Sequence, residues 1–426
     1  MIPAELLDVA LYGSIPRFGD LCIHAVIDLR RSFSRDALER AVADAVEAFP
    51  VLGRRYETRF WRDAWSKVEG PVSEAVHVVE EVDDVEAQTT AWVRRPIAFT
   101  RERPFRVVSL KRGDRSRIIL SILHLAVDGA GAAAVGHVLG ASLYQRSTAV
   151  PASPRRDIAS VLERVRWFHL PQVLRDTAGM AVQSARTFAA SRRHRPYPAN
   201  ASEHASWRHL VIPAHETERI KSSCRARGAS LNDALVAALA RVAAGRSSGG
   251  AVSVVYTMDL RRYRQTPKLT AANTSSILSV VVPRESIGDL SDTAAAVSQL
   301  TTNHKRGMAG PAMMLAVAAL SIGTPHSVLR RIVPRLHPAL VDLPLSRGLL
   351  VTNVGRLDEG LAAFGDDVEA ARIIGPNIRG ADVPAIVACG YRGELQLELY
   401  APPGLAESAL EELELELRAA LEMRAG

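Results

Sequence analysis

The stretch IILSILHLAVDGAGAAAVGHVLG, residues 118–140, constrains this chain more than any other. An apolar strand ends at His124, Asp128 and Gly129 follow in a turn, and a helix of small residues starts at once. A strand-to-loop junction sets a polar side chain at the edge of an element, where catalytic groups tend to sit. His124 is the only polar side chain between Ser121 and Asp128. Apolar surroundings disfavour its charged form, which keeps a neutral imidazole available as a general base near neutral pH. The same local pattern also suits a buried histidine bonded to backbone, and Asp128–Gly129 alone reads as a plain turn. A metal site would need a third ligand, and none follows nearby.

Strands and helices alternate on both sides of this stretch. In a first half, residues 1–175, Leu21 to Leu29 reads as a strand and FSRDALERAVADAVEAFPVL as a helix. Ser34 is its natural N-cap, Phe33 and Leu38 are spaced as a hydrophobic staple, and Leu38, Val42, Ala45, Val46 and Phe49 share one apolar face. Pro50 ends it. Phe105 to Leu110 and Arg117 to Leu123 form a hairpin by pattern, and a helix is expected from Ala130 to Tyr144. Residues 176–205, containing the polar, proline-bearing ARTFAASRRHRPYPANASEH, read as a linker. In the second half, 206–426, Trp207 to Ile212, Val252 to Thr257, Ile277 to Val282, Leu349 to Val354 and Leu395 to Tyr400 are strand candidates. Leu395, Leu397 and Leu399 alternate with Gln396 and Glu398, which predicts one buried face and one wet. Ser230 and Asp233 open one helix with capping-box spacing, and Leu410, Leu413, Leu417 and Leu421 make a closing amphipathic helix. The expected class is mixed α/β (α+β) in two comparable lobes.

Composition narrows the function. Hydrophobic residues at 47% and charged residues at 23% exclude a disordered chain. A net charge of +7 points to anionic partners, but the only compact basic cluster is Arg186, Arg192, Arg193 and Arg195. Aromatics at 5% are few for stacking single-stranded nucleic acid, and no nucleic-acid motif is present, so no nucleic-acid partner is expected. No membrane span is expected either: the longest apolar stretch, Met308 to Gly323, is broken by Gly310 and Pro311. Glu5 and Asp8 sit where a secretory signal would be apolar, which points to the cytoplasm. Cys22, Cys224 and Cys389 are far apart without CxxC spacing, as expected of reduced structural thiols.

HLAVDG, His124 to Gly129, resembles the HxxxDG signature of the condensation-domain superfamily of acyltransferases. That group includes peptide-synthetase condensation domains, polyketide-associated acyltransferases, chloramphenicol acetyltransferase and the wax ester synthase/diacylglycerol acyltransferases. FSRDALERAVADAVEAFPVLGRRY resembles the family's first helix and the turn after it, and PFRVVSLKRGDRSRIILSILHLAVDG the strand pair leading to its histidine. CRARGASLNDALVAALARVA is similar to its "gxTxNDvlLAal" helix, with Asn232 and Asp233 in matching places. YTMDLRRY resembles "vPvdLR" and places its arginine at Arg261; LLVTNVG resembles "SNvpG" at Asn353; CGYRGELQLELY resembles the closing strand. The matches run in family order from about residue 10 to 420. Leu123 stands where the family often has a first histidine, Val354–Gly355 lacks the proline, and Tyr400–Ala401 replaces a Tyr-Asp pair.

The resemblance implies two chloramphenicol-acetyltransferase-like lobes in a V, with a tunnel between them and His124 at its middle. It implies His124 as general base and Gly129 as a close-approach glycine whose N–H meets the developing oxyanion. Asp128 and Arg261 would form a structural ion pair; Asn353 and His137 are candidates for the tunnel wall. No bound cofactor or metal is implied. The donor would be an acyl-phosphopantetheine on an acyl or peptidyl carrier protein, or acyl-coenzyme A, and the acceptor a small-molecule alcohol or amine. The reaction class fits natural-product or lipid biosynthesis. An acidic carrier protein suits the arginine-rich connector better than free coenzyme A does. The alternative is a non-catalytic condensation-like platform that binds carrier proteins, which would have no use for His124.

Overall fold

The strand that delivers His124 is apolar almost throughout because both of its faces are covered. The computed structural model describes residues 1–19, 21–146, 156, 169–191, 197–199, 205–263, 271–312, 323–337, 349–376 and 384–423. Strands β2 (Cys22–Leu29), β5 (Val76–Val79), β6 (Phe105–Arg112), β7 (Arg115–Leu123) and β12 (Val368–Ile374) form a five-stranded sheet in the order β12-β2-β7-β6-β5. One face of β7 sends Ile118, Leu120 and Ile122 into a core shared with helices α2 (Arg35–Ala48) and α4 (Gly129–Leu143). The other face sends Ile119 against Val26, Val108 and Leu110, with Val93 of helix α3 (Val85–Val93) in the same cluster. On α2, Ser34 Oγ accepts from the Ala37 N–H, and Leu38, Val42 and Ala45 are buried. A small sheet of β1 (Ile2–Pro3), β4 (Ala64–Lys67) and β3 (Arg54–Glu57) flanks helix α1 (Leu6–Phe18).

The second half forms a six-stranded sheet in the order β10-β9-β11-β13-β14-β8. Its strands are β8 (Ser206–Ile212), β9 (Ala251–Asp259), β10 (Ser275–Pro283), β11 (Leu349–Arg356), β13 (Ala385–Tyr391) and β14 (Glu394–Ala401). Helices α5 (Leu170–Ser191), α6 (Ala214–Ala226), α7 (Leu231–Gly245), α8 (Leu290–Arg306) and α10 (Ser408–Ala420) pack around it. Ser230 and Asp233 close their capping box reciprocally, Asp233 N–H to Ser230 Oγ and Ser230 N–H to Asp233 Oδ2.

Three sequence expectations are corrected here. The residues assigned to a linker, 176–205, are helical as far as Ser191: α5 packs on β9 and β10, and Thr187 Oγ1 donates to Ser279 Oγ at 3.0 Å. Arg186 is exposed on this helix, while Arg192, Arg193 and Arg195 lie outside the described residues. Second, the cut at 206 does not divide the core. β12 pairs antiparallel with β2 of the first sheet, Ile374 opposite His24, and Val387, Cys389 and Tyr391 of β13 belong to the first half's apolar cluster. Third, β14 has no wet face. Gln396 and Glu398 are buried, cross-strand from Cys389 and Val387, because that face of the sheet is turned toward the first half rather than to solvent.

Among the described residues no helix is long and apolar enough to cross a membrane. All three cysteines are buried and none forms a disulfide among the described residues, and burial pushes the thiols of Cys224 and Cys389 up to about 11 and about 12.

Of two glycines in α4, packing requires one and not the other. A Cβ on Gly140 would come within 2.5 Å of the Phe364 ring, whereas one on Gly136 would meet nothing within 4 Å. Gly140→Val should therefore cost about 1–3 kcal/mol through overpacking. Gly136→Ala should stabilise by about 0.5–1 kcal/mol through lost unfolded-state freedom. Denaturant melts of the two variants should shift in opposite directions.

Candidate active site

The loop after β7 turns tightly. His124 N–H donates to the Leu21 carbonyl at 2.7 Å, and Ala126 N–H to the Leu123 carbonyl at 2.8 Å. Asp128 then serves as N-cap of α4, its Oδ1 accepting from Gly131 N–H at 2.9 Å. That bond leaves the carboxylate open to further donors, and the second half supplies them. Arg261 grips it with both terminal nitrogens, Nη1 to Oδ2 at 2.7 Å and Nη2 to Oδ1 at 2.8 Å. Thr274 adds its backbone N–H at 2.8 Å and its hydroxyl at 3.2 Å, both to Oδ2. Arg261 is itself held by Asp259 Oδ1 and the Ala272 carbonyl.

Both members of this pair are buried, with 3% of the Arg261 side chain and 5% of the Asp128 side chain exposed. Burial alone would raise the Asp128 carboxyl, but Arg261 and the backbone donors outweigh it and hold the group below its usual range. Arg261 is raised in turn by Asp128, against its own desolvation. With its lone pairs committed in this way, Asp128 makes no hydrogen bond to the His124 ring.

His124 keeps part of its surface open while its ring is surrounded by packed protein. Desolvation holds its pKa below the ordinary value, although a bond to its own backbone carbonyl and the nearby Asp128 charge work the other way. Only Nδ1 can reach that carbonyl, so Nε2 is the nitrogen left to face elsewhere. Asn273 Nδ2 donates to the same carbonyl at 3.1 Å and lies 3.1 Å from Nδ1. The amide is oriented by Ser275, whose hydroxyl donates to Asn273 Oδ1 at 3.1 Å.

His124, Asp128 and Gly129 line a cavity of about 100 Å³ with Arg261, Ser275 and Asn353 from the second half. The crossing of β11 builds its far wall. A register shift between Asn353 and Gly355, with Gly355 at φ +90°, lets Asn353 Oδ1 accept from the Gly355 N–H at 2.9 Å. A Cβ on Gly129 would sit 3.0 Å from the methyls of Val354, so any larger residue there requires the Val354 side chain to give way. Thr257 and Thr352 share a hydroxyl hydrogen bond of 2.9 Å on the same wall. His137, on α4, is not among the lining residues; its Nδ1 is buried without a hydrogen-bond partner among the described residues.

The structure thus brings His124, Asp128, Gly129, Arg261 and Asn353 together and leaves His137 outside. Sequence reasoning missed Asn273, Ser275, Thr257 and Thr352. The polar run Asn-Thr-Ser-Ser at 273–276, set just before an apolar strand, was the available signal for the first two.

No protein-family model and no curated protein sequence matches this chain. Solved structures do. The first condensation domain of the calcium-dependent antibiotic synthetase, in complex with a substrate analogue, superposes with a TM-score of 0.69 at 18% identity, over 99% of this chain and 95% of that one. The TRI3 trichothecene 15-O-acetyltransferase from Fusarium sporotrichioides gives 0.72 at 12% identity, over 98% and 95%. The epimerization domain from the third module of tyrocidine synthetase B gives 0.68 at 13%, over 98% and 95%. Over essentially its whole length the chain shares the mixed α/β fold of these structures.

The ion pair can be tested by a double-mutant cycle. Removing either partner strands a buried charge at a cost of about 3–5 kcal/mol, so Asp128→Ala and Arg261→Ala should each melt early. The double variant should lose less than the sum, and strict additivity in denaturant melts would deny the contact. The sign with pH follows from the lowered carboxyl. Its contribution is complete above the unfolded aspartate value of about 4 and is lost as pH falls through the lower folded value. Asp128→Asn should lack that acid-dependent component.

Proposed function

We propose that this chain is an acyltransferase of the condensation type. It moves an acyl group from a thioester, on the phosphopantetheine arm of a carrier protein or on coenzyme A, to an alcohol or amine. The observation that carries this reading is a neutral, desolvated His124 on the wall of a cavity shared by both halves, its loop clamped by Asp128 and Arg261.

In the tautomer this reaction uses, the proton is on Nδ1 and directed at the residue's own carbonyl, Asn273 Nδ2 donates to that carbonyl and not to the ring, and Nε2 holds the lone pair. Nε2 accepts the proton of the acceptor's O–H or N–H as that atom attacks the thioester carbonyl. The carbonyl becomes a tetrahedral oxyanion. In this reading the Gly129 N–H, in the first turn of α4 where helix donors have no intrahelical partner, donates to that oxyanion. Collapse breaks the C–S bond, and the departing thiolate takes the proton from the imidazolium. Asn273 acts as a positioning residue by fixing the carbonyl that orients the ring. Asn353 and the Thr257–Thr352 pair supply polar groups on the cavity wall. The thioester brings the activated carbonyl, so the scheme needs no resident cofactor or metal.

The test is a screen of acyl-coenzyme A and acyl-carrier donors against pooled alcohols and amines, read by intact mass. His124→Ala should fold normally, bind donor and lose roughly 10²–10⁴-fold in kcat. Near-wild-type turnover would remove His124 from the mechanism, and donor binding without turnover on any acceptor would favour a carrier-binding platform. In the wild type, kcat/KM should be flat through neutral pH and fall only below about 6.5, because the lowered His124 pKa keeps the base form populated.

A carrier protein is the proposed donor. Docking over charged faces weakens as the Debye length shrinks from about 10 Å at 0.1 M salt to about 3 Å at 1 M. Carrier-dependent kcat/KM should therefore fall steeply with salt. Equal kcat/KM for a free pantetheine thioester would assign the enzyme to small-molecule donors instead.

A further inference from the structure

The turn between β3 and β4 carries Arg59-Phe60-Trp61-Arg62 at its tip, and nothing in the acyl-transfer reading uses it. Phe60 and Trp61 are each 63% exposed, with ring centroids 5.5 Å apart at 87°, so the two rings project as one apolar wedge. Exposed aromatic pairs are costly in water and ordinarily mark a contact surface.

This tip is held rigidly. Asp63, fully buried behind it, accepts from the Tyr56 hydroxyl at 2.8 Å and the Arg59 N–H at 2.8 Å, and pairs with Arg330 of helix α9 (His326–His337). The Phe60 and Trp61 carbonyls accept from the Ser327 and His326 N–H groups, each at 3.0 Å, and the Arg59 carbonyl accepts from Arg330 at 3.2 Å. Three successive carbonyls at the tip are thus satisfied within the protein. A segment that enters a water-poor phase needs that arrangement, since an unpaired carbonyl there is costly. Around the wedge, Arg59, Arg62 and, further along α9, Arg331 are exposed. The opposing carboxylates are Glu57, bonded to Arg59, and the buried Asp63.

We propose that this tip docks the protein on an anionic lipid surface, the two rings entering the headgroup boundary and the arginines meeting lipid phosphates. Aromatic rings flanked by basic residues suit that boundary. A protein partner fits less well. Two aromatic side chains at this exposure offer roughly 200–300 Å² of apolar surface, well short of the ~800 Å² that each side of a stable protein interface contributes. The inference is independent of the reaction assigned to His124.

The test is co-sedimentation of the whole chain with phosphatidylcholine vesicles, with and without phosphatidylglycerol, at low and high salt. Wild-type protein should pellet with the phosphatidylglycerol vesicles, less so at high salt, and not with phosphatidylcholine alone. Phe60→Ser/Trp61→Ser should lose binding by roughly tenfold or more without a change in melting temperature, and Arg62→Glu/Arg331→Glu should lose the salt-sensitive part. Trp61→Phe should still bind while losing the quenching of tryptophan fluorescence by brominated lipid. No pelleting of the wild type, equal pelleting of the double serine variant, or unchanged quenching in Trp61→Phe would each overturn the proposal.

Discussion

A carboxylate taken out of water is stable only if its lone pairs are filled, and Asp128 fills them from both halves of the chain at once. One bond comes from the first turn of α4, the rest from Arg261 and Thr274, more than 130 residues away in sequence. Such a pair adds little net stability, because desolvation consumes most of what attraction supplies. What it specifies is register. The loop that presents His124 and Gly129 cannot shift without unpairing a buried charge, so the geometry of the cavity is fixed by an interaction in which the cavity's own histidine takes no part.

Two strand crossings reinforce this coupling. β12 leaves the second half to pair with β2, and β13 returns to the second sheet with Val387 and Cys389 packed in the first core. β11 passes over Gly129 closely enough that a side chain there would displace Val354. Neither half encloses the cavity alone, so the histidine is desolvated only in the assembled chain. The base role proposed for His124 needs the neutral form populated at working pH, and burial favours that form. Asn273 adds orientation, since a ring tied to its own carbonyl turns Nε2 outward.

Much of the local structure was legible in the sequence because its causes are local. Ser34 and Ser230 cap helices through atoms three residues away, and β7 reads as a strand from its unbroken apolar run. Reading failed where burial came from distant packing. Gln396 and Glu398 have the alternation of a half-exposed strand, yet both faces are covered once β13 and β14 meet the first core. The helical part of 176–205 was obscured by the prolines and polar residues after it. β12 gave no distinct pattern, because its partner is a strand more than 300 residues earlier.

The sequence alone determined the class of the fold, the strand-turn-helix that carries His124, Asp128 and Gly129, and, through resemblance, the pairing of Asp128 with Arg261. Tertiary structure decided the rest: the admission of Asn273 and Ser275 to the site, the exclusion of His137, and the desolvation of the imidazole. The physical reason is range. Periodicity and capping are settled within a few residues, where each type of side chain has its own preference. Burial, by contrast, is a property of everything that closes around a residue, and for His124 that enclosure comes from strands β9, β10 and β11, which share no local pattern with it.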